Sequence, residues 1–183
     1  MDRLRRLSML SWGLVVASMG VGLEPVDAYA RASSTVEPIC SVDDLIGLDP
    51  SRLEALYAAG IARPLPPGPI RGRALPLPGT RVARSASRVA GLLWQGKVID
   101  ESGESAVNRF FGMKIVRGNL AMGTSVRDGG PALILDYGET SLIYRRYRDE
   151  IREVAPGVYL GLMFADVETN PRLTTYFALQ AGR

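Results

Sequence analysis

Val158-Tyr159-Leu160-Gly161-Leu162-Met163-Phe164 is apolar at nearly every position, and Ala132-Leu133-Ile134-Leu135 is apolar at all four. A strand whose sheet has one face in water alternates apolar and polar side chains. These two do not alternate, so both of their faces are covered. Helices can cover one face. The other must meet a second sheet, or the interior of a sheet that curls on itself. Such an interior is either a filled core, as in most small barrels, or an apolar cavity.

Working outward, the chain reads as a succession of short strands and turns. Trp94 to Ile99 is a strand candidate, with a turn at Asp100-Glu101-Ser102-Gly103. Val107 to Arg117 reads as a second strand bent at Gly112, and Gly118-Asn119 as a two-residue hairpin leading to a strand over Leu120 to Arg127. Pro131 to Tyr137 follows. Ile143, Tyr147, Ile151 and Val154 then predict a helix, with Arg145–Asp149 and Arg146–Glu150 as pairs on its wet side. Val158 to Ala165 and Arg172 to Leu179 read as a closing hairpin.

Upstream, Asp49-Pro50 opens a short helix that Gly60 ends, and Ser41-x-x-Asp44 has the form of a capping box. Six prolines between Pro64 and Pro78 favour an extended connector, in which Ile70 to Leu77 reads as an edge strand. Val82, Ala86, Val89 and Leu93 recur at helical spacing behind Thr80, with Arg81, Arg84 and Arg88 on the opposite side. The expected fold is α+β: a bent antiparallel sheet or a small, lipocalin-like β-barrel of six to seven strands, with two or three packed helices. The expected division is an arm and short helix over 31–61 and a single domain over 62–183.

Residues 1–30 read as a signal peptide. Arg3, Arg5 and Arg6 precede the uncharged stretch Leu7 to Leu23, and Ala28 and Ala30 supply small residues before a cleavage point after Ala30. Export to the periplasm or the medium is therefore expected, with no transmembrane segment left after cleavage. The formal net charge of +3 does not call for a nucleic-acid partner. With no histidine, Ser-His-Asp and Cys-His catalysis, His-ligated zinc and His-ligated haem are excluded. With Cys40 alone there is no internal disulfide and no cysteine cluster; that thiol is expected to be buried or unpaired. No metal site and no cofactor is expected.

Gly91-x-x-Trp94-x-Gly96-Lys97 is the most distinctive local string. It resembles the GxWxG-motif domains, small bacterial β-rich proteins of unknown activity, although two residues separate Gly91 from Trp94 where that motif has one. The resemblance covers only this string and a strand–helix–strand plan, and it implies no functional residue.

The leading expectation is an exported module that binds a lipid or another apolar or amphipathic small molecule. Trp94, Phe110, Tyr159 and Phe164 are candidate cavity walls, with Arg109 or Asp136 orienting a polar end. The alternatives are an acid–base enzyme of isomerase or cyclase type, using Asp136 and Tyr144, and a structural or interaction protein of the cell envelope. A carboxylate near buried strands can serve as a general base, but strand-end acids more often cap the next element.

Overall fold

The computed structural model describes residues 38–182; the expected signal peptide and the start of the arm lie outside the described residues. Eight antiparallel strands close into a barrel in sequence order, β1 (Gly68–Leu75), β2 (Trp94–Ile99), β3 (Ser105–Phe110), β4 (Met113–Thr124), β5 (Pro131–Asp136), β6 (Tyr147–Ala155), β7 (Val158–Ala165) and β8 (Arg172–Gln180). The small barrel is as expected, but its strands number eight and not six to seven. Among the described residues two helices accompany it, α1 (Pro50–Ala59) and α2 (Ala83–Leu93), with a 3-10 turn at Val42–Leu45. None of the described helices is long and apolar enough to cross a membrane, which says nothing about the strands.

Closure explains why β7 does not alternate. Its odd-numbered residues face the barrel interior, where Tyr159 joins Ile70, Leu133, Ile151, Phe177 and Leu179. Its even-numbered residues, Val158, Leu160, Leu162 and Phe164, face outward beneath Val42, Leu45, Leu53 and Tyr57 from the N-terminal segment. That segment is held at its caps: Asp44 accepts from the Ser41 and Cys40 amides, and Asp49 accepts from the Arg52 amide. Of the two expectations for Cys40, buried or unpaired, the structure shows an unpaired thiol that is exposed.

Four local expectations are corrected. The segment expected as a helix over Ile143 to Val154 is a turn through Arg146 and strand β6 from Tyr147. Tyr147, Asp149 and Ile151 face inward, while Arg148, Glu150 and Arg152 face α1 and the turn after β4. A spacing of four returns to the same face in both a helix and a strand, so Tyr147 and Ile151 satisfied either period. Nor do the charges of β6 form a solvated lattice. Glu150 is wholly buried and accepts from the Tyr57 and Ser125 hydroxyls and from the Val126 amide, 2.9 Å away. Arg152 makes a two-pronged pair with Asp128 at 2.7 Å and lies 4.3 Å over the Tyr57 ring, which fastens α1 to the barrel wall.

Gly118-Asn119 is no hairpin but the middle of β4; the reversal falls at Phe111-Gly112. A Cβ on Gly118 would come within 2.8 Å of Leu135, so this glycine is there for a close approach, not for a turn. The strand beginning near Ile70 is not an edge: β1 pairs with both β2 and β8 and closes the barrel. Finally, α2 buries Ala83 and Ser87, the latter through a 2.7 Å hydrogen bond to the Ala74 carbonyl, and leaves Val82 and Val89 exposed. Its apolar stripe is not the face packed on the barrel.

The interior tapers by pairing glycines with rings. A Cβ on Gly161 would lie 2.1 Å from the Phe177 ring, directly across the β7–β8 ladder. Gly161→Ala is therefore expected to destabilise the barrel by about 1–3 kcal/mol through overpacking. Adding Phe177→Leu should recover part of that loss. Denaturant midpoints of the two variants against the unaltered chain check both statements.

Candidate functional site

Helix α2, the β3–β4 turn and the loops joining β5 to β6 and β7 to β8 all lie at one end of the barrel, as the order of the strands dictates. A cavity of about 200 Å³ opens there. Trp94, Phe110, Tyr144, Met163 and Phe177 form its apolar wall, and Lys97, Asn108, Tyr137 and Asp149 bring polar atoms to it.

Two irregularities in the ladder aim these side chains. Trp94 and Lys97 are three residues apart and in a regular strand would face opposite sides. Between them the register shifts: Trp94 stands opposite Phe110, and Gly96 opposite Arg109. The bulge turns both side chains inward. Gly96 sits at φ +116°, and a Cβ there would be 2.2 Å from the Ile70 carbonyl oxygen, so no other residue fits. The second bulge lies in β4, where Val116 adopts φ +62°. This is a strained conformation for a β-branched residue. Its carbonyl accepts from Asn108 Nδ2 at 3.2 Å, which couples the strain to the site.

Lys97 is 1% exposed. Its Nζ donates to Asp149 Oδ2 at 2.7 Å, to Asn108 Oδ1 at 2.8 Å and to the Tyr137 hydroxyl at 3.1 Å. The Tyr137 hydroxyl donates to the same Asp149 oxygen at 2.7 Å and accepts from Asn108 Nδ2 at 2.9 Å. Trp94 Nε1 donates to Asn108 Oδ1 at 3.0 Å. The ammonium also lies 5.1 Å from the Phe177 ring centroid and 5.5 Å from that of Trp94, within cation–π range. Burial pulls the Lys97 amine below the ordinary lysine range while the Asp149 carboxylate pulls it back up. Burial, with the Asp149 charge beside it, pushes the Tyr137 phenol well above its ordinary value. The second Asp149 oxygen, Oδ1, is buried and has no hydrogen-bond partner among the described residues.

Of the residues nominated from sequence, Trp94, Phe110 and Tyr144 meet at the cavity. Phe110 and Tyr144 stack at 6.4 Å between centroids, although Tyr144 belongs to a loop and not to the start of a helix. The others are elsewhere. Tyr159 is in the barrel interior but does not line the cavity, and Phe164 lies on the outer face under the N-terminal segment. Asn108 and Phe110 face inward, so Arg109 between them faces out. Asp136 is exposed and accepts from the Gly138 amide at 2.7 Å, the local capping that its strand-end position favours. The polar heart of the site, Lys97, Asn108 and Asp149, was not nominated. The available signal was a lysine between Trp94 and Val98-Ile99 in a strand candidate.

The same end of the barrel carries exposed apolar side chains. Leu92 and Leu93 end α2 beside Phe111, whose amide donates to the Leu93 carbonyl at 2.9 Å. Leu142 and Ile143, next to Tyr144, are 89% and 82% exposed.

No family model and no curated protein matches the chain. Among solved structures, a crystal structure of a protein from Thermomonospora curvata is similar at 20% identity and a TM-score of 0.49, over 74% of this chain and 88% of that one.

Lys97→Met alone strands the Asp149 charge and is expected to cost about 3–5 kcal/mol of stability, whereas Lys97→Met combined with Asp149→Leu should cost far less. Denaturant unfolding of both variants measures the difference. A second expectation concerns alkaline pH. Burial raises the Tyr57 and Tyr176 phenols to about 12 and raises Tyr137 as well. An unfolded tyrosine ionises near about pH 10. The stability these groups contribute is thus intact below that pH and is lost as pH rises through their folded values. Tyrosinate absorbance and near-UV circular dichroism should therefore change together in one late, cooperative step.

Proposed function

We propose that the protein is an exported binding module that holds an apolar or amphipathic small molecule in the open end of its barrel. The observation that carries this reading is the 200 Å³ cavity, walled by Trp94, Phe110, Met163 and Phe177 and supplied with polar atoms by Lys97 and its partners. An apolar pocket with a few convergent polar groups is the ordinary form of a small-molecule site. The exposed apolar residues at the same end of the barrel, Leu142 and Ile143 among them, favour the approach of an apolar molecule. Export is supported by the order of arginines, apolar stretch and small residues before Arg31.

One observation favours the acid–base alternative. A carboxylate, a phenol and an amine meet at the cavity, and groups with displaced titration cluster at catalytic sites. In that reading Asp149 and Tyr137 take the roles first given to Asp136 and Tyr144. The carboxylate is, however, already engaged through Oδ2 by Lys97 and the Tyr137 hydroxyl, so binding is the stronger reading. A purely structural envelope protein has no use for the cavity.

The test exploits a single reporter. Trp12 and Trp94 are the only tryptophans, and cleavage after Ala30 removes the first. The secreted protein is expected to have the mass of a chain beginning at Arg31, and its Trp94 emission should shift and saturate on titration with toluene. Thr175→Phe, which fills the cavity from β8, should keep the fold and lose the response. A full-length secreted mass, or an unchanged response in Thr175→Phe, overturns the corresponding half of the proposal.

A further inference from the structure

We infer that the open end of the barrel docks on an anionic lipid bilayer, with helix α2 and the β5–β6 loop lying among the headgroups. The inference goes beyond the cavity and does not rest on its having an occupant.

Helix α2 is the first observation. A surface helix ordinarily turns its apolar stripe to the core. Here Ala83 and Ser87 are the buried residues, while apolar side chains stand in water: Val89 is 62% exposed and Leu92 71%. Arg84 and Arg88 are exposed on the same helix. A helix that carries an unburied apolar stripe together with arginines has the make-up of one that lies in the plane of a membrane interface.

The neighbours of α2 extend that surface. The Phe111 amide donates to the Leu93 carbonyl at 2.9 Å, and the Phe110 ring stacks on Tyr144 at 6.4 Å between centroids. The end of α2, the β3–β4 turn and the β5–β6 loop are thereby tied together, and each adds large apolar side chains that water reaches. Phe111 is 66% exposed, and Leu142 and Ile143 are more exposed still. Single exposed apolar residues are ordinary, but a group of them from three adjoining segments marks an interaction surface.

Charge selects the partner. The connections at this end, 76–93, 111–112, 137–146 and 166–171, carry five arginines against three acids. Those between strands at the other end, 100–104, 125–130 and 156–157, carry four acids against one arginine. Arg84, Arg88 and Arg145 make no ion pair among the described residues. Cations set among exposed apolar side chains are what a negatively charged bilayer attracts. A second copy brought face to face would instead set arginine against arginine, which opposes pairing.

Sedimentation of the secreted protein with two kinds of vesicle tests this, one of phosphatidylcholine and one of phosphatidylcholine with a quarter phosphatidylglycerol. Binding to the anionic vesicles is expected to be at least about tenfold tighter and to weaken as salt is raised. Leu142→Ser with Ile143→Ser, and Val89→Ser with Leu92→Ser, should each weaken it about tenfold. Arg84→Gln with Arg88→Gln should remove most of the preference for anionic vesicles. Met122→Ser, which alters an exposed apolar side chain on strand β4, should bind as the unaltered protein does. All share one N-terminus, so the comparison holds wherever the secreted chain begins, and near-UV circular dichroism verifies that each variant is folded. The docking assignment is overturned by a preference below about threefold, by no binding to either vesicle, by an unchanged affinity in either apolar double variant, or by an equal loss in Met122→Ser. Self-association without lipid that the double variants abolish also overturns it, and makes the face a contact between copies. Toluene titration is a separate readout, so the cavity reading stands or falls independently of the vesicles.

Discussion

A lysine and an aspartate buried together inside a small barrel constrain everything around them. Lys97 on β2 and Asp149 on β6 are 2.7 Å apart with side chains 2% and 3% exposed, and neither charge is tolerable there without the other. Asn108 on β3 and Tyr137 at the end of β5 complete the set, so residues from four strands must converge on one point. That convergence needs the barrel to be closed and its register to be right. A one-residue slip of β2 or β6 would send its charge to the other face.

The two bulges follow from that demand. Gly96 lets Trp94 and Lys97 share the interior, and Val116 turns a carbonyl toward Asn108. Both depart from regular strand geometry, and both sit beside the cavity, where such departures re-aim side chains. The rest of the interior is conventional: aliphatic residues and rings fitted over glycines such as Gly161. Stability is therefore concentrated in the packed interior and under the N-terminal segment. The open end combines strained backbone, a costly ion pair and an unpartnered oxygen, features that the barrel itself does not need.

A second polar cluster shows the difference between support and site. Glu150 and Arg152, on the outward face of the same strand as Asp149, are also buried, yet their partners are satisfied on all sides by Tyr57, Ser125, Asp128 and backbone groups. They fix α1 against the barrel wall. Alternation along β6 thus separates two roles in consecutive residues: Asp149 serves the cavity and Glu150 the scaffold.

Local chemistry in the chain was enough to show that the apolar strands are covered on both faces, that a turn at Asp100–Gly103 separates two strands, and that Asp49-Pro50 opens a helix. These follow from local chemistry: hydrophobic pattern, turn residues and caps. It also brought Trp94 and Phe110 forward as wall residues, because aromatic side chains in a buried strand have few other places to go. The remainder depends on contacts between residues far apart in the chain. Whether Tyr147 and Ile151 belong to a helix or a strand depends on what lies beside them, since a spacing of four suits both. That β1 is interior to the sheet depends on β8, about a hundred residues away in the chain. Lys97 and Asp149 are 52 residues apart. Taken singly, each is an ordinary charged residue, and only closure of the barrel, by removing water from between them, makes them a pair and leaves Asp149 Oδ1 buried without a partner among the described residues.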